Sequence, residues 1–149
     1  MRAYLAITLL ALTAAQTPPA SQASPQDSID GIWRSPGGNS IMKIAPCGGS
    51  PCGTVVWASD RAKKDTSKVT SQLVGTQLLT NLEQRKDGSW LGKLFIPDQN
   101  MRVTAKIKRV SQDQLKVSGC AAGKALCKSQ TWTAFPGSLP TDASVPAPQ

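Results

Sequence analysis

The stretch that decides the fold is Met101-Arg102-Val103-Thr104-Ala105-Lys106-Ile107-Lys108-Arg109-Val110. Polar side chains alternate in it with the apolar Met101, Val103, Ala105 and Ile107. Successive side chains of a strand point to opposite faces of a sheet, so this period of two predicts a strand with one dry face and one wet face.

The same period recurs in shorter segments on both sides of this stretch. It places Trp90, Gly92, Leu94 and Ile96 on one face of a segment, Met42 and Ile44 on one face of another, and Leu115 and Val117 on one face of a third. Turn-forming residues separate the segments, as in Pro36-Gly37-Gly38-Asn39 and Pro97-Asp98-Gln99-Asn100. The pattern predicts an all-β fold, a small antiparallel up-and-down β-barrel of about eight strands.

Two segments between these strands are less regular. In residues 73–84, the spacing of Val74, Leu78 and Leu82 also suits a helix, and we predict a strand with Leu78, Thr80 and Leu82 on one face. Residues 59–70 are polar and charged, and we predict that they form a long loop.

The two ends of the chain differ in composition from the middle. Arg2 precedes an uncharged run that ends in Thr13-Ala14-Ala15, which predicts a signal peptide over residues 1–15 with a cut as late as residue 23 as the alternative. We expect a flexible leader over 16–27, the barrel domain over 28–135 and a disordered Pro-rich tail over 136–149. After removal of the signal, we expect a soluble exported protein without a transmembrane segment.

The chain contains four cysteines, and an even number in a small exported protein predicts disulfides. Of the three connectivities, we predict the simplest, which pairs Cys47 with Cys52 and Cys120 with Cys127. The cysteines of these pairs are separated by four and six residues. These separations fit neither the two-residue spacing of a thioredoxin-like site nor the short spacings of most zinc sites.

Composition also restricts the function. The 149 residues include 17 Lys and Arg, 9 Asp and Glu, and no histidine, for a net charge of +8. The lack of histidine excludes His-based catalytic triads and two-His zinc sites. No two carboxylates are spaced to share one strand face, as a glycosidase acid pair would be, and no phosphate-binding loop is present. We therefore expect no catalytic residue, no metal and no cofactor, and predict that the protein is not an enzyme.

Three segments together carry a family resemblance, and they are Gly31-Ile32-Trp33-Arg34, then Ile44-Ala45-Pro46-Cys47 with Cys52-Gly53-Thr54-Val55-Val56-Trp57, then Leu115-Lys116-Val117-Ser118-Gly119-Cys120 followed by Leu126-Cys127-Lys128-Ser129-Gln130-Thr131-Trp132-Thr133. From about Asp30 to Thr133, the chain resembles the exported bacterial family called domain of unknown function 2147. The resemblance implies a lipocalin-like β-barrel in the periplasm of Gram-negative bacteria and no established activity. The chain departs from the family pattern at Lys64–Lys68 and Phe95–Asn100, so any ligand contact that other members make there is lost or altered.

The chain has four tryptophans. Because a tryptophan near the start of the first strand plugs the closed end of lipocalin-like barrels, the resemblance implies that Trp33 forms a barrel plug, with Trp132 on the last strand as its neighbour. Arg34 and Lys128 are candidates to stack on the plug as cations. The other two rings, Trp57 and Trp90, lie on middle strands and are candidate ligand-binding residues at a cavity mouth, or else they fill a narrow barrel.

A set of basic side chains falls on the outer face of three neighbouring predicted strands and comprises Lys93, Arg102, Lys106, Lys108 and Lys116. We call this set the basic face. Like charges on adjacent strands are unfavourable, so the face either keeps the protein soluble or attracts an anionic polymer of the cell envelope. No aromatic residues alternate with these cations, and we expect no nucleic-acid partner.

Two functional hypotheses follow. The first is an exported barrel that binds a small apolar or amphipathic ligand in its lumen, by analogy with the fold and through Trp57 and Trp90. The alternative is an envelope interaction protein that uses the basic face to dock on an anionic polymer or a protein partner.

Overall fold

The structure is a computed structural model that describes residues 28–121, 126–137 and 139. The predicted signal peptide, the predicted leader and most of the predicted tail lie outside these residues. The strands of the described part are β1 (Gly31–Arg34), β2 (Ser40–Cys47), β3 (Ser50–Ala58), β4 (Gln77–Gln84), β5 (Trp90–Ile96), β6 (Met101–Ser111), β7 (Gln114–Ala121) and β8 (Leu126–Ala134). An α-helix, α1 (Asp60–Thr66), follows β3, and short 3-10 turns over Pro36–Gly38 and Pro97–Gln99 follow β1 and β5.

The eight strands form one closed antiparallel barrel in sequence order, with β1 pairing both β2 and β8. Each strand pairs with the strand that follows it in the chain, which is the up-and-down arrangement that short turns produce. The prediction of a small all-β barrel of about eight strands is confirmed.

The alternation along β5, β6 and β7 sets the inner and outer faces of the barrel. Residues that lie directly opposite each other on paired strands share a face, and the register pairs Trp90 with Ile107, and Ile107 with Val117. Ile107 is fully buried, so this row faces the interior. The predicted inward set of β6 is therefore confirmed, and the basic side chains between its members point outward.

The half of the barrel where β1 begins and β8 ends is filled by side chains, and we call it the plugged end. Its core cluster comprises Ile29, Trp33, Met42, Ile44, Leu79, Leu82, Ala105, Ile107, Leu115, Val117 and Trp132. The indole N–H of Trp33 donates to the carbonyl of Ile29 at 3.0 Å. The structure thus places both predicted plug residues, Trp33 and Trp132, in one cluster.

Two glycines let side chains and backbone of the neighbouring strands pack closely in this region. A Cβ on Gly53 would lie 2.6 Å from the sulfur of Met42, and a Cβ on Gly92 would lie 2.7 Å from the carbonyl oxygen of Thr80. Contacts this short do not occur between real side chains, so the strands pack closely because these positions lack a side chain.

The prediction of a strand at residues 73–84 is confirmed for β4, but the predicted face is wrong. Leu79 opposes the inward Leu94, whereas Thr80 opposes the outward Lys93. The pairing shifts register between Thr80 and Glu83, and Asn81 in that interval has a φ of 54°. Such an irregularity changes the phase of the alternation, so Leu82 returns to the core.

The predicted long loop at residues 59–70 contains a helix that the sequence analysis missed. Ser59 caps α1 by accepting the Ala62 N–H at 3.2 Å, and Asp60 lies in its first turn. Both are favourable at a helix N-terminus. The helix also spaces its charges for ion pairs, Asp60 with Lys63 and Arg61 with Asp65. These signals were present in the sequence.

The turn between β4 and β5 is held by Asp87. Its carboxylate accepts hydrogen bonds from the backbone and the hydroxyl of Ser89 and lies 3.0 Å from the Lys106 ammonium on β6. The hydrogen bond from the Ser89 hydroxyl, with that from Lys106, holds the pKa of Asp87 well below its usual value of 3.8. The ionised form of Asp87 therefore stabilises this turn.

We predict that Trp33→Ala lowers the free energy of unfolding by about 3–5 kcal/mol, because it removes a large, fully packed ring. Urea unfolding monitored by far-ultraviolet circular dichroism measures the change. Val110→Ala, at a position that is 51% exposed, is the control and should change stability little. Equal effects of the two substitutions would contradict the placement of Trp33 in the core.

We predict that Asp87→Asn destabilises the protein at neutral pH. A carboxyl whose pKa is lowered on folding contributes stability above its unfolded pKa, and this contribution is lost as the pH falls. The difference in urea midpoint between wild type and variant should therefore shrink as the pH falls below the usual value of 3.8. Asp98→Asn, in an exposed turn, is the matched control; a difference between wild type and Asp87→Asn that does not vary with pH would contradict the assignment.

Candidate functional site

At the end opposite the plug, inward side chains such as Ile96 and Met101 are partly exposed, and we call it the open end of the barrel; α1 and the Pro97–Gln99 turn contact each other there. The open end carries the β1–β2, β3–β4 and β5–β6 connections, because β1 runs away from the plug and each following strand reverses direction. On the β3–β4 side it is covered by apolar contacts of the chain after β3. Val55, Ala58 and Leu73 form a buried cluster there, against which Ala62 of α1 packs.

The cation on the plug is Arg109. Arg109 lies opposite the inward Leu115, and its guanidinium carbon is 5.2 Å from the centre of the Trp33 ring, a distance at which cation–π attraction contributes about 0.5–2 kcal/mol. The expectation that Arg34 or Lys128 stacks on the plug is wrong. Arg34 points outward, where its guanidinium lies 5.2 Å from the Phe135 ring centre, and Lys128 lies on β8 in the open half.

The structure does not bring Trp57 and Trp90 together. Trp90 faces inward opposite Ile107 at the plugged end and packs partly buried against the core cluster. Trp57 lies opposite Ile41, which in turn lies opposite the outward Arg34, so the register places Trp57 in the outward row. In that row Ile41 is fully buried and Trp57 is partly buried. The pairing of β2 with β3 shifts register between Ile41 and Met42, so Val56 of β3 has no partner residue. Uninterrupted alternation would put Trp57 on the same face as Val55, and the extra residue changes this.

The seam between β1 and β8 is short. Its register pairs are Trp33 with Ala134 and Arg34 with Thr133, after which the chain leaves β1. Beyond Thr133, toward the open end, residues 126–131 of β8 continue along β7, and all of them are exposed. In the described part of the chain, no strand pairs with this edge of β8. Among the described residues, strand pairing therefore closes the wall near the plug and stops there, and the Pro36–Gly38 turn after β1 contacts β8 beyond it; we call this stretch without strand pairing the split.

We call the inner space beside this split the seam crevice. Its wall is apolar: Leu94, Ile96 and Met101 face inward and are partly exposed, and Val103 and Val117 form a more buried floor. Gly119 also faces inward, because a Cβ there would lie 3.1 Å from Val103 and 3.8 Å from Leu94. Val103 therefore packs directly against the Gly119 backbone, where a larger residue would crowd the floor.

Two polar side chains of β8 border the seam crevice. Lys128 lies opposite Gly119, and Gln130 lies opposite Val117, so both residues are on the inner face although both are exposed. From the sequence, Lys128 was a candidate only for stacking on the plug, and Gln130 was not a candidate residue. The sequence did contain an indication: Lys128 and Gln130 are spaced at intervals of two from Trp132, so an inward Trp132 places both of them on the inner face of β8.

The predicted disulfides Cys47–Cys52 and Cys120–Cys127 are both present, and the described residues include no free cysteine. Cys120 and Cys127 lie directly opposite each other on β7 and β8, next to the inward pair of Gly119 and Lys128. This bond fastens β8 to β7 at the border of the seam crevice, where β8 has no described strand on its other side.

The structure places the basic face as predicted, on the outside of β5, β6 and β7. Arg102 stacks on Phe95, with 4.7 Å between the guanidinium carbon and the ring centre, and Lys106 is paired with Asp87. Lys108 and Lys116 instead lie directly opposite each other on β6 and β7. Two opposed like charges are destabilising, so this pair is the part of the basic face that is least compensated.

Within the described residues, no helix is long and apolar enough to cross a membrane. The same residues contain no cluster of three or more side chains of the His, Cys, Asp and Glu types that could hold a metal ion.

Comparison with solved structures gives a fold relative. The chain is similar to a structure described as "Protein HP1028 from the human pathogen Helicobacter pylori belongs to the lipocalin family", with 16% identity, a TM-score of 0.57, and coverage of 72% of this chain and 83% of that chain. At this identity the likeness concerns the fold. None of the curated proteins matches the chain. Residues 31–134 match the model of a family described as "Uncharacterized protein conserved in bacteria", and the chain therefore belongs to the family of domain of unknown function 2147.

Proposed function

We propose that the protein is an exported periplasmic barrel that binds a small apolar or amphipathic molecule in the seam crevice. The observation that carries the proposal is the contrast between the two halves of the lumen. Side chains fill the plugged end, whereas the inward apolar side chains Leu94, Ile96 and Met101 remain partly exposed in the open half.

The chemistry of the crevice supports this proposal. Ligand sites in proteins are concave and mostly apolar, with a few polar groups that fix orientation, and the crevice combines an apolar wall with Lys128 and Gln130. Removing apolar surface from water contributes about 25 cal/mol per Å², which favours an occupant with an apolar body. An eight-stranded barrel can hold one small ligand, as lipocalins do. The structure similar to this chain is described as a lipocalin-family protein.

The predicted export signal and the disulfides support the proposed location. Arg2 and the apolar run after it have the pattern of a secretory signal. The two disulfides are of a kind that persists in oxidising compartments, among them the bacterial periplasm. A periplasmic binding protein would meet amphipathic molecules of the envelope on both sides.

A second proposed function uses the basic face. Two opposed lysines, Lys108 and Lys116, cost stability without a compensating carboxylate among the contacts of the described residues, and an anionic polymer would supply that compensation. In this proposal the protein docks on phosphate-bearing lipopolysaccharide through the outer face of β6 and β7.

For the first function, we predict that the mature protein binds the neutral fluorescent probe N-phenyl-1-naphthylamine saturably with one site per chain. Gly119→Leu should weaken this binding at least about tenfold, because the new side chain crowds Val103 and Leu94 and forces the apolar wall of the crevice to shift. Fluorescence titration measures the dissociation constant.

Val110→Leu, which places a leucine on the exposed outside of β6, is the control and should bind as wild type does. Circular dichroism and the urea midpoint show whether Gly119→Leu still folds, and Gly119→Ala provides a smaller substitution if it does not. Failure of the wild type to bind the probe, or equal binding by all folded variants, would contradict the proposal.

For the second function, we predict that binding to lipopolysaccharide micelles weakens steeply as salt rises from 20 to 200 mM. Lys108→Gln combined with Lys116→Gln should remove most of this binding. The control is Lys64→Gln combined with Lys68→Gln, which removes the same charge elsewhere. Co-sedimentation measures the bound fraction, and equal losses in both double variants would show that net charge, rather than the basic face, is responsible.

A further inference from the structure

The seam crevice contains a positive charge at a defined place. β7 and β8 pair without a register shift from Gln114–Thr133 to Ala121–Leu126, so the faces of β8 follow directly from those of β7. A Cβ on Gly119 would point at the inward side chains of Val103 and Leu94, so Gly119 faces the interior. Lys128 lies directly opposite Gly119 and therefore shares the inner face. The residue is exposed, so its ammonium is accessible to a ligand.

The charge of Lys128 is not neutralised by a carboxylate in the described structure. The inward residues around it on β5, β6 and β7 are apolar or glycine. Of the carboxylates at the open end, Asp60 and Asp65 belong to α1 and pair with Lys63 and Arg61. Asp98 lies in the β5–β6 turn and takes part in none of the ion pairs given for the described residues. Lys106 offers a contrast, since this outer lysine has its own carboxylate, Asp87, at 3.0 Å.

Gln130 adds a neutral polar group next to this charge. It lies two residues along β8 on the same face, opposite the buried Val117. Its amide can donate a hydrogen bond to an oxygen that also contacts the Lys128 ammonium. The border of the crevice thus offers donors of hydrogen bonds, one of them charged, while the wall offers apolar side chains.

We infer that the ligand of the seam crevice is an anionic amphiphile. Its apolar chain lies along Leu94, Met101 and Val103, and its carboxylate or phosphate head group pairs with Lys128 and accepts a hydrogen bond from Gln130. This inference rests on the proposed ligand-binding function and specifies the chemistry of the ligand. Because the head group sits at a hydrated border, the ion pair is of the exposed kind and gives a modest preference.

The test compares ligands with the same twelve-carbon chain and different head groups, namely dodecanoate, dodecyl phosphate, dodecanol and dodecyltrimethylammonium. Displacement of N-phenyl-1-naphthylamine from the mature protein, below the micelle concentration of each ligand, gives the affinities. We expect wild type to bind the two anions about three- to tenfold more tightly than dodecanol. The ratio of dodecanoate to dodecyl phosphate then distinguishes a carboxylate from a phosphate head group.

Lys128→Gln should abolish the preference for anions and leave the affinity for dodecanol unchanged. Lys128→Glu should reverse the preference, so that dodecyltrimethylammonium binds more tightly than dodecanoate. Lys43→Gln, which removes a charge from the exposed outside of β2, away from the basic face, is the matched control and should keep the preference of the wild type.

The outcomes separate the two levels of the proposal. Equal binding of dodecanol and dodecanoate to wild type, or a preference that survives in Lys128→Gln, would overturn the head-group assignment and leave the crevice as a ligand site. A wild-type protein that binds neither the probe nor any of the twelve-carbon ligands would overturn the ligand-binding function itself.

Discussion

The closure of the barrel through two residue pairs, Trp33 with Ala134 and Arg34 with Thr133, is the constraint on which the rest of the structure depends. A seam this short supplies few backbone hydrogen bonds, so the first and last strands must also be held by side chains. The plug supplies them. The Trp33 ring packs in the core, donates to the Ile29 carbonyl and lies under the Arg109 guanidinium.

The same short seam creates the candidate site. Between Leu126 and Thr131, before it reaches the seam with β1, β8 pairs only with β7 among the described strands. The Cys120–Cys127 disulfide holds this part of β8 on β7. The inner face of this segment therefore meets solvent, and Lys128 and Gln130 border an apolar wall instead of filling a core. A lysine on an edge strand also discourages pairing with another chain, and this protective role is compatible with binding an anion, because both depend on the same exposed charge.

The sequence predicted those parts of the fold in which strands run without irregularities. Inward and outward residues of β5 and β6 follow a strict period of two, and the structure pairs them in register along their whole length. Prediction failed where an extra residue changes the phase, at Val56 before Trp57 and at Asn81 in β4. Alternation cannot show a bulge in advance, because a bulge depends on how the partner strand is paired.

The candidate site was harder to predict, because it exists only where β1 is too short to pair with the first residues of β8. The residues next to Lys128 in the sequence do not show whether its side chain starts from the inner or the outer face of the barrel. Only its pairing with Gly119 shows that it starts from the inner face. Arg109 was missed as the plug cation for a similar reason, since it continues the inward series of β6 only at the end of the strand. Tertiary pairing, rather than residue type, sets both roles.

Amide hydrogen exchange along β8, followed by NMR, tests the split wall most directly. The Phe135 N–H donates to Ile32 across the seam, and alternation makes the N–H groups of Thr133, Thr131 and Ser129 point to the same side. The account predicts slow exchange at Phe135 and Thr133 and exchange faster by orders of magnitude at Thr131 and Ser129. Uniformly slow exchange at all four amides would show that the wall is closed along its whole length, and would contradict the existence of the seam crevice.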